Sequence, residues 1–181
     1  YPLRRQRQMC IRDSSKSINK VFANFIATQL ENVSIRVLDW NEIEMPLFGI
    51  DLEEEKGIHE NAYKFKELVE QSDAVVLSLA EHNGLHSAAF KNLWDWTSRI
   101  EKNFWANKPM FLAATSPGGR GGKGVLGVTL NMISRFGGNV ISSFSLPSFQ
   151  DNFKNGAITD DELKTNLLAE IKKFQEHLNQ N

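Results

Sequence analysis

The sequence lacks a second cysteine, a long apolar run and any marked excess of charge of one sign. Its one cysteine, Cys10, has no partner for an internal disulfide. Proteins of reducing compartments usually lack disulfides. No apolar run reaches the roughly 18 residues that a membrane-spanning helix needs. The formal net charge of -1 offers no basic surface to a nucleic acid or an anionic membrane. We therefore expect a cytoplasmic protein without a nucleic-acid partner or a membrane span.

The composition is that of a single globular domain with an atypical start. The 181 residues are 41% hydrophobic and 24% charged, which suits one compact core. Residues 1–13, YPLRRQRQMCIRD, contain four arginines and two glutamines, and they resemble translated adapter sequence joined to a truncated gene. We predict that residues 1–13 are a non-native segment and that residues 14–181 form the domain.

Apolar runs and amphipathic stretches alternate along the chain. Helical stripes of apolar residues begin near Ser17, His59, Ser87 and Val125, and another stripe forms the terminal stretch of the chain. The runs between them have the composition of strands (residues 33–38, 74–80, 109–115 and 139–146). The alternation predicts an α/β fold, a doubly wound parallel five-stranded sheet of order 2-1-3-4-5. No convincing first strand is present, so we expect that strand to be degraded or replaced. The acidic run 51–55 is expected to be a solvated loop.

A sheet of this order binds ligands at the carboxyl ends of its strands, where three loops of this chain converge. The first loop offers the hydroxyls of Ser14, Ser15 and Ser17, with Asn19, at the start of a helix that could hold a phosphate. The same serines could be helix caps only. The loops at 81–84 and 116–122 could present backbone groups to a flat heterocycle such as a flavin, or be an ordinary turn and a mobile linker.

Two short motifs carry a family resemblance. Ala80-Glu81-His82-Asn83-Gly84, followed by Lys-Asn-Leu-Trp-Asp-Trp at 91–96, resembles the P-E-Y-N-G and L-K-N-x-x-D-W signature of the NADPH-dependent FMN reductase family. That family includes quinone, chromate and azo-dye reductases, and the resemblance runs from about Ser14 to the terminal helix. It implies a flavodoxin-like FMN-binding domain over 14–181, with NADPH or NADH as electron donor. It also implies a homodimer or homotetramer, with the helix at 91–96 in the subunit interface.

The resemblance further implies a set of cofactor-binding residues. Ser17 and Asn19 match the last two positions of the family's phosphate loop, G-S-x-R-x-x-S-x-N, whereas Ser14 stands where arginine is common and the leading Gly-Ser is missing. His82 replaces the usual tyrosine. The implied FMN-binding residues are Ser14, Ser15, Ser17, Asn19, Glu81, His82, Asn83, Gly84, Ser116, Pro117, Gly118 and Gly119.

The expected activity is electron transfer through the cofactor. Hydride passes from a nicotinamide to the flavin and electrons then leave to a quinone or similar small acceptor, so no side chain is expected to be catalytic. Glu81 at a strand end is expected to cap or to form a local ion pair, and the histidines lack the spacing of metal ligands. The alternatives are a flavodoxin-like electron carrier without nicotinamide activity and, more weakly, a response-regulator module. If residues 1–13 are foreign, we expect poor folding and weak FMN retention.

Overall fold

The computed structural model describes residues 5–11, 17–39 and 43–180, with only the backbone described for 5–11 and 39. Strands and helices alternate as the sequence predicts. The strands are β1 (Arg5–Ile11), β2 (Val33–Asp39), β3 (Ala74–Leu79), β4 (Glu81–His82), β5 (Leu85–His86), β6 (Pro109–Thr115), β7 (Asn139–Leu146), β8 (Phe153–Lys154) and β9 (Ala157–Ile158). The helices are α1 (Ile18–Thr28), α2 (Ile50–Lys56), α3 (Glu60–Gln71), α4 (Ala88–Ile100), α5 (Lys123–Met132), α6 (Phe149–Asn152) and α7 (Asp161–Gln180).

The main sheet has five strands in the order β2-β1-β3-β6-β7, and all neighbouring pairs in it are parallel. Counted along the chain this is the predicted order 2-1-3-4-5. All six residues of β3 are buried, because helices cover both faces of the sheet. Parallel strands share one carboxyl edge, so the segments that follow β3 and β6 emerge side by side.

The expectation of a degraded first strand is wrong in one respect, because a strand does occupy the central position. Residues Arg5–Ile11 pair with β2 on one side and with β3 on the other, and neither neighbour is left without a ladder. Ladder hydrogen bonds are made by backbone N–H and C=O groups, which arginine and glutamine supply as well as valine does. Whether residues 1–13 are foreign to the gene stays a prediction.

The acidic segment near residue 51 is also corrected, from a loop to a helix. Helix α2 covers it, with Asp51 and Glu53 in the first turn and Lys56 in the last, which is the charge order that the helix dipole favours. Glu53 accepts from Arg99 Nε at 2.9 Å and ties α2 to α4. The short hairpins β4–β5 and β8–β9 lie outside the main sheet, and neither pair of strands was predicted from the sequence.

Polar residues in the central strand predict a stability gain on substitution. In β1, Arg7 is aligned with Ile35 of β2 and Ala74 of β3. Because β1 lies between two strands, where β-branched residues are favoured, Arg7→Val should raise the free energy of unfolding by up to about 1 kcal/mol. That corresponds to about 2–4 °C in melting temperature per kcal/mol, measured calorimetrically. Arg36→Val, at an exposed position of edge strand β2, is the control and should change little. A melting temperature that is unchanged or lower in Arg7→Val would contradict the prediction.

Candidate functional site

The first helix begins at the carboxyl edge of the sheet with a buried serine cap. Ser17 is the N-cap of α1, and its Oγ accepts from the backbone N–H of Lys20 at 3.4 Å. Ser17 is therefore a helix cap, and a phosphate contact of its hydroxyl stays a prediction. The residues just before it, Ser14 and Ser15, lie outside the described residues.

Asn19 fastens this helix start to two strand ends. Its Nδ2 donates to the carbonyl oxygen of Thr115 at 3.2 Å, and its Oδ1 accepts from the Thr115 N–H at 3.1 Å. The same oxygen accepts from the Ser78 hydroxyl at 2.8 Å. Because Asn19 is only 4% exposed, these bonds are formed away from water. The amide that the sequence assigned to phosphate binding thus joins α1 to the ends of β3 and β6.

The glycine-rich loop after β6 is held at its base and open at its crest. The carbonyl oxygen of Ser116 accepts from Phe149 N at 3.0 Å, and that of Gly118 accepts from Gly121 N at 3.2 Å. The Ser116 hydroxyl donates to the Gly118 carbonyl at 3.2 Å. Pro117, Gly118 and Gly119 are exposed on the crest. The loop is therefore ordered by internal bonds and is not a free linker.

Its glycines fall into two classes. Gly121 has φ +59°, and a Cβ there would lie 2.6 Å from Ser145 Oγ and 2.8 Å from the Leu146 carbonyl carbon. The fold itself excludes a side chain at Gly121. At Gly118 and Gly119 a Cβ would meet nothing within 4 Å. Glycine at those two positions has no internal steric reason, which is consistent with close approach of a ligand from outside.

The predicted ring-binding residues form the hairpin β4–β5. Its turn is Asn83-Gly84, with φ +52° and +81°, as a two-residue hairpin turn requires. His82, Asn83 and Gly84 are exposed. Glu81 is half-buried, and its Oε2 accepts from Val125 N in the first turn of α5 at 2.8 Å. The sequence predicted a local cap or ion pair for this carboxylate, whereas the helix that it caps is 44 residues away in the chain.

His86 ends the same hairpin and contacts α5 one turn further on. Its Nε2 lies 2.7 Å from Thr129 Oγ1, which itself lies 2.7 Å from the Val125 carbonyl oxygen. Because the one hydroxyl hydrogen of Thr129 points to that carbonyl, the imidazole Nε2–H is the donor. Burial lowers the pKa of His86, and the positive charge of Lys91 lowers it further.

The second motif anchors a loop. Asn92 Oδ1 accepts from Phe48 N at 2.7 Å, and its Nδ2 donates to the Pro46 carbonyl at 2.9 Å. Trp96 is buried, and its Nε1 donates to the same carbonyl at 2.8 Å. Trp96 is therefore a core residue with an added bond to the loop before α2.

The structure thus joins the three predicted segments by side-chain contacts at one edge of the sheet. Asn19 contacts the strand end that precedes Ser116, and Glu81 contacts the helix that follows the loop 116–122. Sequence reasoning missed Val125 and Thr129 as anchors of the hairpin, since nothing local marks a backbone N–H as the partner of a remote carboxylate. Within the described ranges, no group of three or more His, Cys, Asp or Glu residues could hold a metal ion. In the same ranges, no helix combines the length and the hydropathy of a membrane span.

The lowered pKa of His86 predicts a pH dependence of stability. The unfolded chain takes up a proton below the ordinary histidine pKa of about 6.5, whereas folded His86 resists protonation, so folding weakens as the pH falls. Urea unfolding at about pH 7.5 and about pH 5.5 should show a larger loss of stability in the wild type than in His86→Gln. Equal losses in the two proteins would refute the prediction.

Comparison with known proteins identifies the relatives of this chain. The model of the NADPH-dependent FMN reductase family matches residues 12–151. The quinone reductase of Escherichia coli (strain K12) is 28% identical over 105 residues, 56% of this chain and 56% of that protein. The NADPH:quinone oxidoreductase of Arabidopsis thaliana is 33% identical over 79 residues, 44% of this chain and 40% of that protein. The chain spans about half the length of the curated relatives it matches.

Solved structures extend the likeness over nearly the whole chain. The flavoenzyme NAD(P)H:(acceptor) oxidoreductase FerB from Paracoccus denitrificans has a TM-score of 0.79 at 21% identity, with 98% of each chain covered. The oxidoreductase of Corynebacterium diphtheriae has a TM-score of 0.68 at 15% identity and the same coverage. These likenesses confirm the flavodoxin-like fold. The family match covers more than half of the chain and confirms the resemblance, with FMN and NAD(P)H as the family's cofactors. This chain belongs to the NADPH-dependent FMN reductase family.

Proposed function

We propose that this chain is an NAD(P)H-dependent FMN oxidoreductase that passes electrons through bound FMN to a quinone or similar small acceptor. The observation that carries the proposal is the junction of three segments at the carboxyl edge of the sheet, fastened by Asn19 and Glu81. This is the edge where open α/β sheets bind ligands. The family match supports the cofactor, and the quinone-reductase names of the relatives support the class of acceptor.

The residues at this edge fit a flat heterocycle. The exposed turn Asn83-Gly84 and the crest Gly118-Gly119 would border its ring through backbone groups, with the open space at the two crest glycines leaving room for contact. His82, Ser116 and Pro117 complete the proposed ring site. Bound FMN would supply two-electron chemistry with a nicotinamide. The protein's own part is to orient the two reactants, and it needs no general acid or base.

The contacts of Glu81 agree with a protein that orients the reactants and supplies no general base. The Glu81 carboxylate Oε2 accepts a hydrogen bond from Val125 N in the first turn of α5 at 2.8 Å. We therefore assign Glu81 to holding the hairpin in place.

The phosphate of FMN is assigned to the segment before α1. Ser14, Ser15 and Ser17 supply hydroxyls there, and the start of a helix favours a dianion. Asn19 contributes by holding α1 against Thr115, since its amide oxygen already accepts two hydrogen bonds. Residues 14–181 would then carry all of the proposed FMN-binding residues, while β1 completes the sheet of the same domain.

The remaining assignments concern location, oligomeric state and the class of partner. We propose a cytoplasmic homodimer or homotetramer that acts on small molecules and not on nucleic acid. The helix carrying the second motif supports assembly, because it anchors a segment in which Leu47 is 80% exposed and Ile50 is 63% exposed. Light scattering after size exclusion checks this, and a monomer at working concentration would contradict it.

Spectroscopy and turnover test the activity. Protein incubated with FMN and desalted should keep a flavin absorbance that NADPH or NADH bleaches and that menadione restores under anaerobic conditions. Steady oxidation of nicotinamide that depends on menadione separates an oxidoreductase from an electron carrier. Protein that stays colourless after incubation with FMN would refute the proposal. Flavin that binds without nicotinamide turnover would favour the electron carrier instead.

Two glycine substitutions in one loop test the site. Gly119→Ala adds a methyl group where no protein atom lies within 4 Å, so the flavin-free protein should keep its stability. If the ring approaches there, FMN affinity should fall by about tenfold, or roughly 1.4 kcal/mol. Gly121→Ala is the matched comparison and should lower the stability of the flavin-free protein, because the methyl group meets Ser145 and the backbone at Leu146. Unchanged FMN affinity in Gly119→Ala would argue against a ligand at this crest.

A further inference from the structure

The hairpin β4–β5 is too small to hold its own shape. It consists of two pairs of facing residues, Glu81 with His86 and His82 with Leu85, joined by the turn Asn83-Gly84. Isolated hairpins are marginal in water even when longer. The position of the turn must therefore come from contacts outside the hairpin.

Each strand of the hairpin is bonded to the same helix, α5, by one side chain. Glu81, in the first strand, accepts from Val125 N at 2.8 Å. Its cross-strand partner His86 donates to Thr129 Oγ1 at 2.7 Å, one helical turn along. We call these two contacts the latch. The hydrogen bond of Glu81 has a carboxylate acceptor, and the rings of Phe90 and Trp94 shield that of His86 from water. Both bonds are therefore stronger than exposed hydrogen bonds between neutral groups.

The turn itself rests on the first turn of α5. A Cβ at Gly124 would lie 2.7 Å from Glu81 Oε2 and 3.1 Å from the Gly84 carbonyl oxygen. Gly124 is not in the left-handed region, so its lack of a side chain serves close approach. Hairpin and helix are therefore packed backbone to backbone at this point.

Helix α5 starts immediately after the glycine-rich loop, at Lys123. Fastening the hairpin to α5 therefore sets the distance between the turn Asn83-Gly84 and the crest Gly118-Gly119. We propose that Glu81 and His86 are positioning residues. Through this latch they hold the turn Asn83-Gly84 at a fixed distance from the crest Gly118-Gly119. The role in catalysis rests on the proposed function, whereas the latch rests on the contacts alone.

Truncated and conservative variants of each residue test the proposal. Glu81→Ala and His86→Ala remove the latch contacts, while Glu81→Gln keeps an acceptor for Val125 and His86→Gln keeps a donor for Thr129. Glu54→Ala, at an exposed position of α2, is the control. Hydrogen exchange of residues 82–86 is measured without flavin. FMN affinity, and the midpoint potential of bound FMN at saturating FMN, are measured separately.

The alanine variants should exchange residues 82–86 faster than wild type and bind FMN at least about tenfold more weakly, with an altered potential. The glutamine variants should recover affinity to within about threefold, and the control should match wild type. Faster exchange with unchanged affinity and potential would overturn the positioning role, and unchanged exchange would overturn the latch. A wild type that binds no FMN would contradict the proposed function, while the exchange data would still decide on the latch.

Discussion

The site depends on one buried amide that fastens the start of a helix to the ends of two strands. Asn19 forms hydrogen bonds with the N–H and the carbonyl of Thr115 and with the Ser78 hydroxyl. A buried polar group left without its partner costs about 1–3 kcal/mol, so breaking this junction would leave several groups unpaired at once. The arrangement therefore holds α1, β3 and β6 at one edge with little freedom.

The other parts of the site follow from that edge. Because β3 and β6 are adjacent and parallel, the hairpin after β3 and the loop after β6 emerge as neighbours. Helix α5 then holds the hairpin through Glu81 and His86, and glycines at 121 and 122 let the loop turn back against β7 and β6. The side chains of Asn19, Glu81 and His86 contact the protein at this edge, and we propose that backbone groups face the ligand. That suits a cofactor that brings its own chemistry.

Much of this could be predicted from the sequence, because the informative signals were local. Apolar periodicity gave the order of strands and helices, Ser17 was a recognisable cap, and two motifs identified the family. Two kinds of feature escaped. Strand β1 is polar in sequence and lies before the matched region, yet its backbone completes the sheet. Asn19 binds the backbone of Thr115, 96 residues away, and Glu81 binds the backbone N–H of Val125, 44 residues away. Backbone groups carry no sequence signal.

The central claim is that three segments distant in the chain form one cofactor site. Hydrogen exchange of the wild type with and without FMN, followed by mass spectrometry, tests it most directly. We expect FMN to slow exchange at the start of α1, in the hairpin at residues 81–86 and in the loop at residues 116–122 together. Protection confined to one of these segments, or located on the surface between α1 and α7, would contradict it.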